Sequence, residues 1–118
     1  MVRPLLIIDA ANVVGSVPDG WWRDRQGAAE RLRDRLAAQA DGDTDIVMVV
    51  EGKAKGIKSI PGVPVHDASG SGDDAIVELV RRHPDRQVIV VTADRGLRDR
   101  VTALGAQVRG PSSIRPIS

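Results

Sequence analysis

Five acids stand where sequences of this kind do chemistry: Asp9, Glu51, Asp73, Asp74 and Asp94. Asp9 and Glu51 close long apolar runs, Asp94 follows a third by way of Thr92 and Ala93, and Asp73-Asp74 leaves a glycine-rich turn. Carboxylates gathered in such number repel. Two of them ~5 Å apart, at an effective dielectric of 20, cost ~3 kcal/mol. Three or four coexist only with a cation or with raised pKa values. Oxygen donors alone suit a hard ion, Mg²⁺ or Mn²⁺. One or two such ions held by Asp activate water and steady the leaving oxygen in phosphodiester cleavage. Each acid also has a plainer use. Asp94 suits a helix N-cap, Ser71-x-x-Asp74 resembles a capping box, an acid in a first helical turn favours the macrodipole, and Glu51 can simply begin a turn.

The elements that must bring these acids together are legible as apolar runs. Leu5-Leu6-Ile7-Ile8 reads as a strand buried on both faces. Asp9 is expected at its C-terminal end, outside the buried sheet, with Asn12 three residues further on. Asp45 to Val50 and Val88 to Thr92 repeat the pattern, and Val63-Pro64-Val65-His66 reads as a short strand that Pro64 confines to an edge. A last short strand falls near Ala106 to Val108. Between them, Ala29, Leu32, Leu36 and Ala40 recur at helical spacing. That helix is expected from about Trp21 to Ala40, capped by Asp19, with both tryptophans in its first turn. Ile76, Val77 and Val80 mark a helix running to about His83, where Pro84 stops it, and Leu97, Val101 and Leu104 mark another.

Alternating strands and helices imply parallel strands joined by right-handed crossovers. The expectation is one domain over residues 1–118, an α/β/α sandwich of three layers whose mostly parallel sheet has about five strands. Parallel strands place their C-terminal ends on one edge, where open α/β sheets bind ligands. Side chains far apart in sequence are therefore expected to converge there. The tail from Gly110 to Ser118 shows no periodicity.

Composition narrows the choice. With Trp21 and Trp22 the only aromatics, the core must be Val, Ile, Leu and Ala, and a platform of stacked aromatics is hard to build. A net charge of +1 means that any polyanion must be gripped by a local cluster. No cysteine is present, which excludes disulfides, thiolate nucleophiles and Cys-based zinc sites. The first apolar run is too short for a signal peptide or membrane span, so the plain expectation is a cytoplasmic protein without membrane contact. Gly70-x-Gly72-x-x-Ala75 has the form of a dinucleotide fingerprint, but it does not follow the first strand and Asp73-Asp74 would repel a pyrophosphate there. There is no Walker lysine and no nucleophile elbow. His66 reads as a sheet-edge residue and His83 as a helix-end one.

Asp9-Ala10-Ala11-Asn12, Ser71-Gly72-Asp73-Asp74-Ala75-Ile76-Val77 and Val90-Val91-Thr92-Ala93-Asp94, in that order, resemble the signatures of the NYN domain family of PIN-like nucleases, including its bacterial YacP-type branch. The likeness runs from about Leu5 to Val108. It implies a metal-dependent endoribonuclease on a PIN-like sheet, with Asp9, Asp73, Asp74 and Asp94 binding Mg²⁺ or Mn²⁺ and Asn12 orienting the site or its water. Such relatives often carry one more acid in the helix after the third strand end. Here Arg98 comes four residues after Asp94 and Asp99 five, the latter turned ~140° from it. Glu51 stands where the family often has another acid or polar residue.

Lys53, Lys55 and Lys58 form a basic, glycine-punctuated loop beside Glu51, and Arg95 and Arg98 flank Asp94. Positive charge there would offset the acids' repulsion of RNA, single-stranded or locally structured; solvated surface lysines are the plain alternative. Arg23, Arg25, Arg31, Arg33 and Arg35, interleaved with Asp24, Glu30 and Asp34, read as a solvated face. One tryptophan is expected in the core, leaving the other to stack on a base or a protein partner. The rival expectations are a module of the same fold that binds RNA or the ribosome without turnover, and a PIN-type toxin. The toxin would need an exposed apolar patch for its antitoxin.

Overall fold

The computed structural model describes residues 2–114. Its strands are β1 (Leu5–Asp9), β2 (Asp45–Val50), β3 (Val65–Asp67), β4 (Val88–Val91) and β5 (Gln107–Arg109). They form one parallel sheet in the order β3-β2-β1-β4-β5. The helices are α1 (Ala10–Gly15), α2 (Arg25–Gln39), α3 (Gly72–Arg81) and α4 (Arg95–Thr102).

Side chains alternate across a strand, and here each parity fills a separate core. Leu5, Ile7, Val49, Val88 and Val90 pack against Ile76, Val77 and Val80 of α3 and Leu97 and Val101 of α4. Ile8, Ile46, Met48, Val50 and Val91 pack against Val13 of α1 and Ala29, Leu32 and Leu36 of α2. Helices thus cover both faces, giving three layers. The central strands must be apolar on both sides, which is why they appear in the sequence as unbroken aliphatic runs. β3 pairs only with β2, so Pro64 lies at the edge where its missing N–H costs no ladder bond.

Three local expectations need correcting. Asp9 belongs to β1 itself and is only 5% exposed, because the helices close over the strand end. Directly after it comes α1, whose six residues are too few to show helical periodicity and which Asp9 caps. Finally, the tryptophans do not open α2. Gly20 takes a left-handed conformation (φ 79°), Trp21–Arg23 form a separate 3-10 turn, and extended Asp24 caps α2 in place of Asp19 by accepting from the Gly27 amide at 2.9 Å.

The solvated-face reading of α2 also fails in part. Arg33 is mostly buried and donates to the Lys58 carbonyl at 2.8 Å, and the Arg35 Nε is buried. At the sheet's N-terminal edge, Arg86 donates to the Arg3 carbonyl and to Asp45, each at 2.8 Å, while Arg3 pairs with Asp45 at 3.1 Å. These groups clamp the starts of β1, β2 and β4. The hydrogen bond from Arg86, helped by the Arg3 charge, holds the Asp45 carboxyl below its ordinary value. Of the tail, Pro111–Ser113 form a 3-10 turn and Ile114 is buried; the rest lies outside the described residues. Among the described residues, no helix is long and apolar enough to cross a membrane.

Candidate active site

From β1 the chain passes to β2 on one side and, later, to β4 on the other. The C-terminal ends of β1 and β4 therefore flank the point where strand order reverses, the usual binding crevice of an open parallel sheet. Parity decides what faces it. Asp9 continues the row of Leu5 and Ile7, Glu51 the row of Val49, and Thr92 the row of Val88 and Val90. All three turn toward the α3–α4 side, and α3 begins there with Asp73.

Thr92 donates to Asp9 Oδ2 at 2.8 Å and accepts from the Asp94 amide at 3.1 Å. Asp94 Oδ1 accepts from the Leu97 amide at 2.9 Å and so caps α4. Asn12 Oδ1 accepts from the Ala93 amide at 2.8 Å, tying α1 to the end of β4, while the Asn12 amide makes a long 3.5 Å contact to Asp9 Oδ1. Glu51 Oε2 accepts from the Gly72 amide at 2.6 Å, at the N-terminus of α3. A side chain at Gly72 would press on that carboxylate: its Cβ would come to 3.1 Å of Glu51 Cδ.

The acids act on one another. Burial lifts the Asp9 carboxyl from an ordinary 3.8 to about 6, with the charges of Asp73 and Glu51 adding to the rise and the Thr92 and Asn12 hydrogen bonds opposing it. Asp73 is raised as well, by its partial burial first and then by Asp94, Glu51 and Asp74, with Arg100 opposing. Glu51 is thus felt by both Asp9 and Asp73, and these two acids act on the same patch at the sheet's C-terminal edge. Among the described residues, no hydrogen bond helps to hold Asp73 ionised.

Of the remaining acids, Asp74 adds its charge to the rise at Asp73. Asp74 is largely exposed and pairs with Arg100 at 3.0 Å, and its amide is capped by Ser71 at 3.1 Å, the plain capping use. Asp99 is exposed, and its charge does not act on Asp9 or Asp73. Arg95, Arg98 and Lys53 are exposed and Lys55 is half-buried. The basic segment is no free loop, since it is held at four points: Gln26 and Arg33 donate to the Lys55 and Lys58 carbonyls, the Gly56 amide reaches Asp67, and Ser59 accepts from the Val65 amide. Neither tryptophan is in the core: Trp21 is half-buried and Trp22 is 55% exposed. With Trp22, the large apolar side chains left exposed among the described residues are Val2 and Leu104, on separate segments.

Sequence reasoning passed over Thr92 and the Glu51–Gly72 contact. A hydroxyl two residues before Asp94, ending the aliphatic stretch Val88-Ile89-Val90-Val91, was the available signal for the first. For a cation the donor set is right in kind, being all oxygen and short of positive charge. Among the described residues, no three acids or histidines are placed to ligate one ion together.

The five-stranded parallel sheet in this order is also found in known structures. Two solved structures share it: Rae1 (YacP) from Bacillus subtilis, with TM-score 0.78 and 19% identity over 95% of this chain and 70% of that one, and its W164L mutant, with TM-score 0.79 and 18% identity over 95% and 72%. At such identities the likeness is one of fold. No known family profile and no curated protein matches the sequence.

Proposed function

We propose that this protein is a metal-dependent endoribonuclease. The observation that carries the reading is the approach of Asp9, Glu51, Asp73 and Asp94 from four distant stretches, close enough for their charges to add to the rise that burial gives Asp9 and Asp73. Such crowding is costly in a purely structural site, and the NYN-like signatures fall on the same residues. Mg²⁺ or Mn²⁺, held by two of Asp9, Asp73 and Asp94 at a time with water completing its shell, would supply the positive charge that lets a phosphodiester approach and that stabilises its leaving oxygen.

The chain's own residues have distinct tasks. Asp73, which accepts no hydrogen bond among the described residues, has lone pairs available for a proton from the attacking water. Thr92 fixes the Asp9 carboxylate, and Asn12 holds the β4–α4 connection against α1. Lys53, Arg95 and Arg98 are the exposed cations near enough in sequence to the acids to meet backbone phosphates.

The test is cleavage of a labelled RNA with Mn²⁺ or Mg²⁺. Asp9→Asn and Asp73→Asn should each lower the rate by at least about a hundredfold while the circular dichroism spectrum is kept. Undiminished cleavage by either folded variant would overturn the assignment. One observation favours the rival of binding without turnover: Asp94 and Glu51 are already committed to helix N-termini. Equal RNA affinity in chelator and in Mn²⁺, with no cleavage in either, would select that rival.

A further inference from the structure

Beside the acids lies a cleft of about 390 Å³ walled by Ala10, Val14, Trp21, Arg25 and Ala29 and reaching Glu51. It is the size of a small-ligand site and is mainly apolar, with one aromatic ring and the charged Arg25 and Glu51 at its wall. That ring owes its place to the 3-10 turn. Gly20 turns the chain left-handed (φ 79°), so Trp21 folds back over the end of α1, where a Cβ on Gly15 would meet its Cζ2 at 3.8 Å. The Arg25 guanidinium lies 5.2 Å from the centroid of the Trp21 ring, and Arg23 lies 5.8 Å from that of Trp22. Aromatic rings interleaved with arginine are what single-stranded nucleic acid uses for stacking and phosphate contact.

We propose that this cleft receives one unpaired base of the RNA, stacked against Trp21, with Arg25 meeting a flanking phosphate. The proposal rests on the ribonuclease reading and adds its substrate class: a single strand whose base is turned out beside the bond to be cut. Glu51 belongs to both sites, lining the cleft and acting on Asp9 and Asp73, so base and phosphate bind as neighbours along one strand. Duplex RNA, its bases stacked and paired, has nothing to insert.

Trp22→Leu leaves Trp21 as the sole tryptophan and makes its fluorescence a direct report. In chelator, a short mixed-sequence single-stranded RNA should quench it; the same strand made abasic, and a blunt duplex, should not. In the wild-type background, Trp21→Leu should weaken single-strand binding at least about tenfold and Trp21→Phe should restore most of it. Equal quenching by the abasic strand or the duplex, or unchanged affinity in folded Trp21→Leu protein, would overturn the proposal. Its fate separates from that of the nuclease. Base-dependent quenching in Trp22→Leu, with wild-type protein that cuts no RNA, keeps the cleft and removes the enzyme, whereas cleavage with unchanged Trp21→Leu affinity does the reverse.

Discussion

Asp9 carries the sharpest consequence at the scale of single residues. Its carboxyl is raised in the folded protein to about 6 from an ordinary 3.8, so the folded state binds the proton more tightly than the unfolded chain does. Between those values the folded protein holds more protons, and its stability falls as pH rises. The whole cost, on the order of 3 kcal/mol, is present above about pH 6 and absent below about pH 4. Asp9→Asn should therefore melt higher than wild type near neutral pH in chelator, with the gap closing toward about pH 4. A constant gap in melting temperature across that range would show that Asp9 does not titrate there. Thr92→Val, which removes a hydrogen bond to the ionised form, should push the same transition to higher pH.

At the scale of elements, two glycines act through what their missing side chains leave room for. Gly72→Ala should drive the Glu51 carboxylate from the α3 N-terminus, costing about 1–3 kcal/mol in denaturant unfolding. It should slow cleavage as well, by displacing one acid of the cluster. Gly27 is different. An alanine there gains roughly 1 kcal/mol of helix propensity, yet its methyl collides with the capping Asp24 carboxylate, whose cap is worth about 1 kcal/mol. Gly27→Ala alone should come out near neutral, but in an Asp24→Ala background it should stabilise; additive effects in a double-mutant cycle would contradict this account.

The same scale shows what the sequence could and could not disclose. Strands buried on both faces must be uniformly apolar, so β1, β2 and β4 were plain, and Pro64 placed β3 at the edge. By contrast, α1 has too few residues for a period to emerge, and the break at Asp24 is imposed by the conformation of Gly20. Asp9, Asp73 and Asp94 were recognisable because each sits at a strand end or helix start. That Asp74 turns to Arg100 while Asp73 turns to Asp94 depends on a 100° step at a helix start whose position the sequence leaves uncertain by a residue or two. Thr92 and Glu51 gain their roles only through strand register, a property of pairs of segments that no single stretch displays.

For the molecule as a whole, the sheet divides its labour between its edges. The N-terminal edge is charge-compensated, with Arg86 and Arg3 closing on Asp45, whereas the C-terminal edge is left negative. Arg86→Ala should lower the melting temperature and leave the metal dependence of RNA cleavage as it is in wild type. Activity lost at temperatures well below that melt would mean that the edges are coupled. Added salt should narrow the stability gap, since Asp45 faces solvent.

One row of alternating side chains fills the core from Leu5 to Ile7 and then delivers Asp9. Removing Leu5 or Ile7 from that row, with every carboxylate still present, would swing Asp9 round to the tryptophan side and bring Ala10 to its place at the crevice. This centre can thus be lost through arithmetic alone: a shortened strand, chemically intact, would face the wrong way.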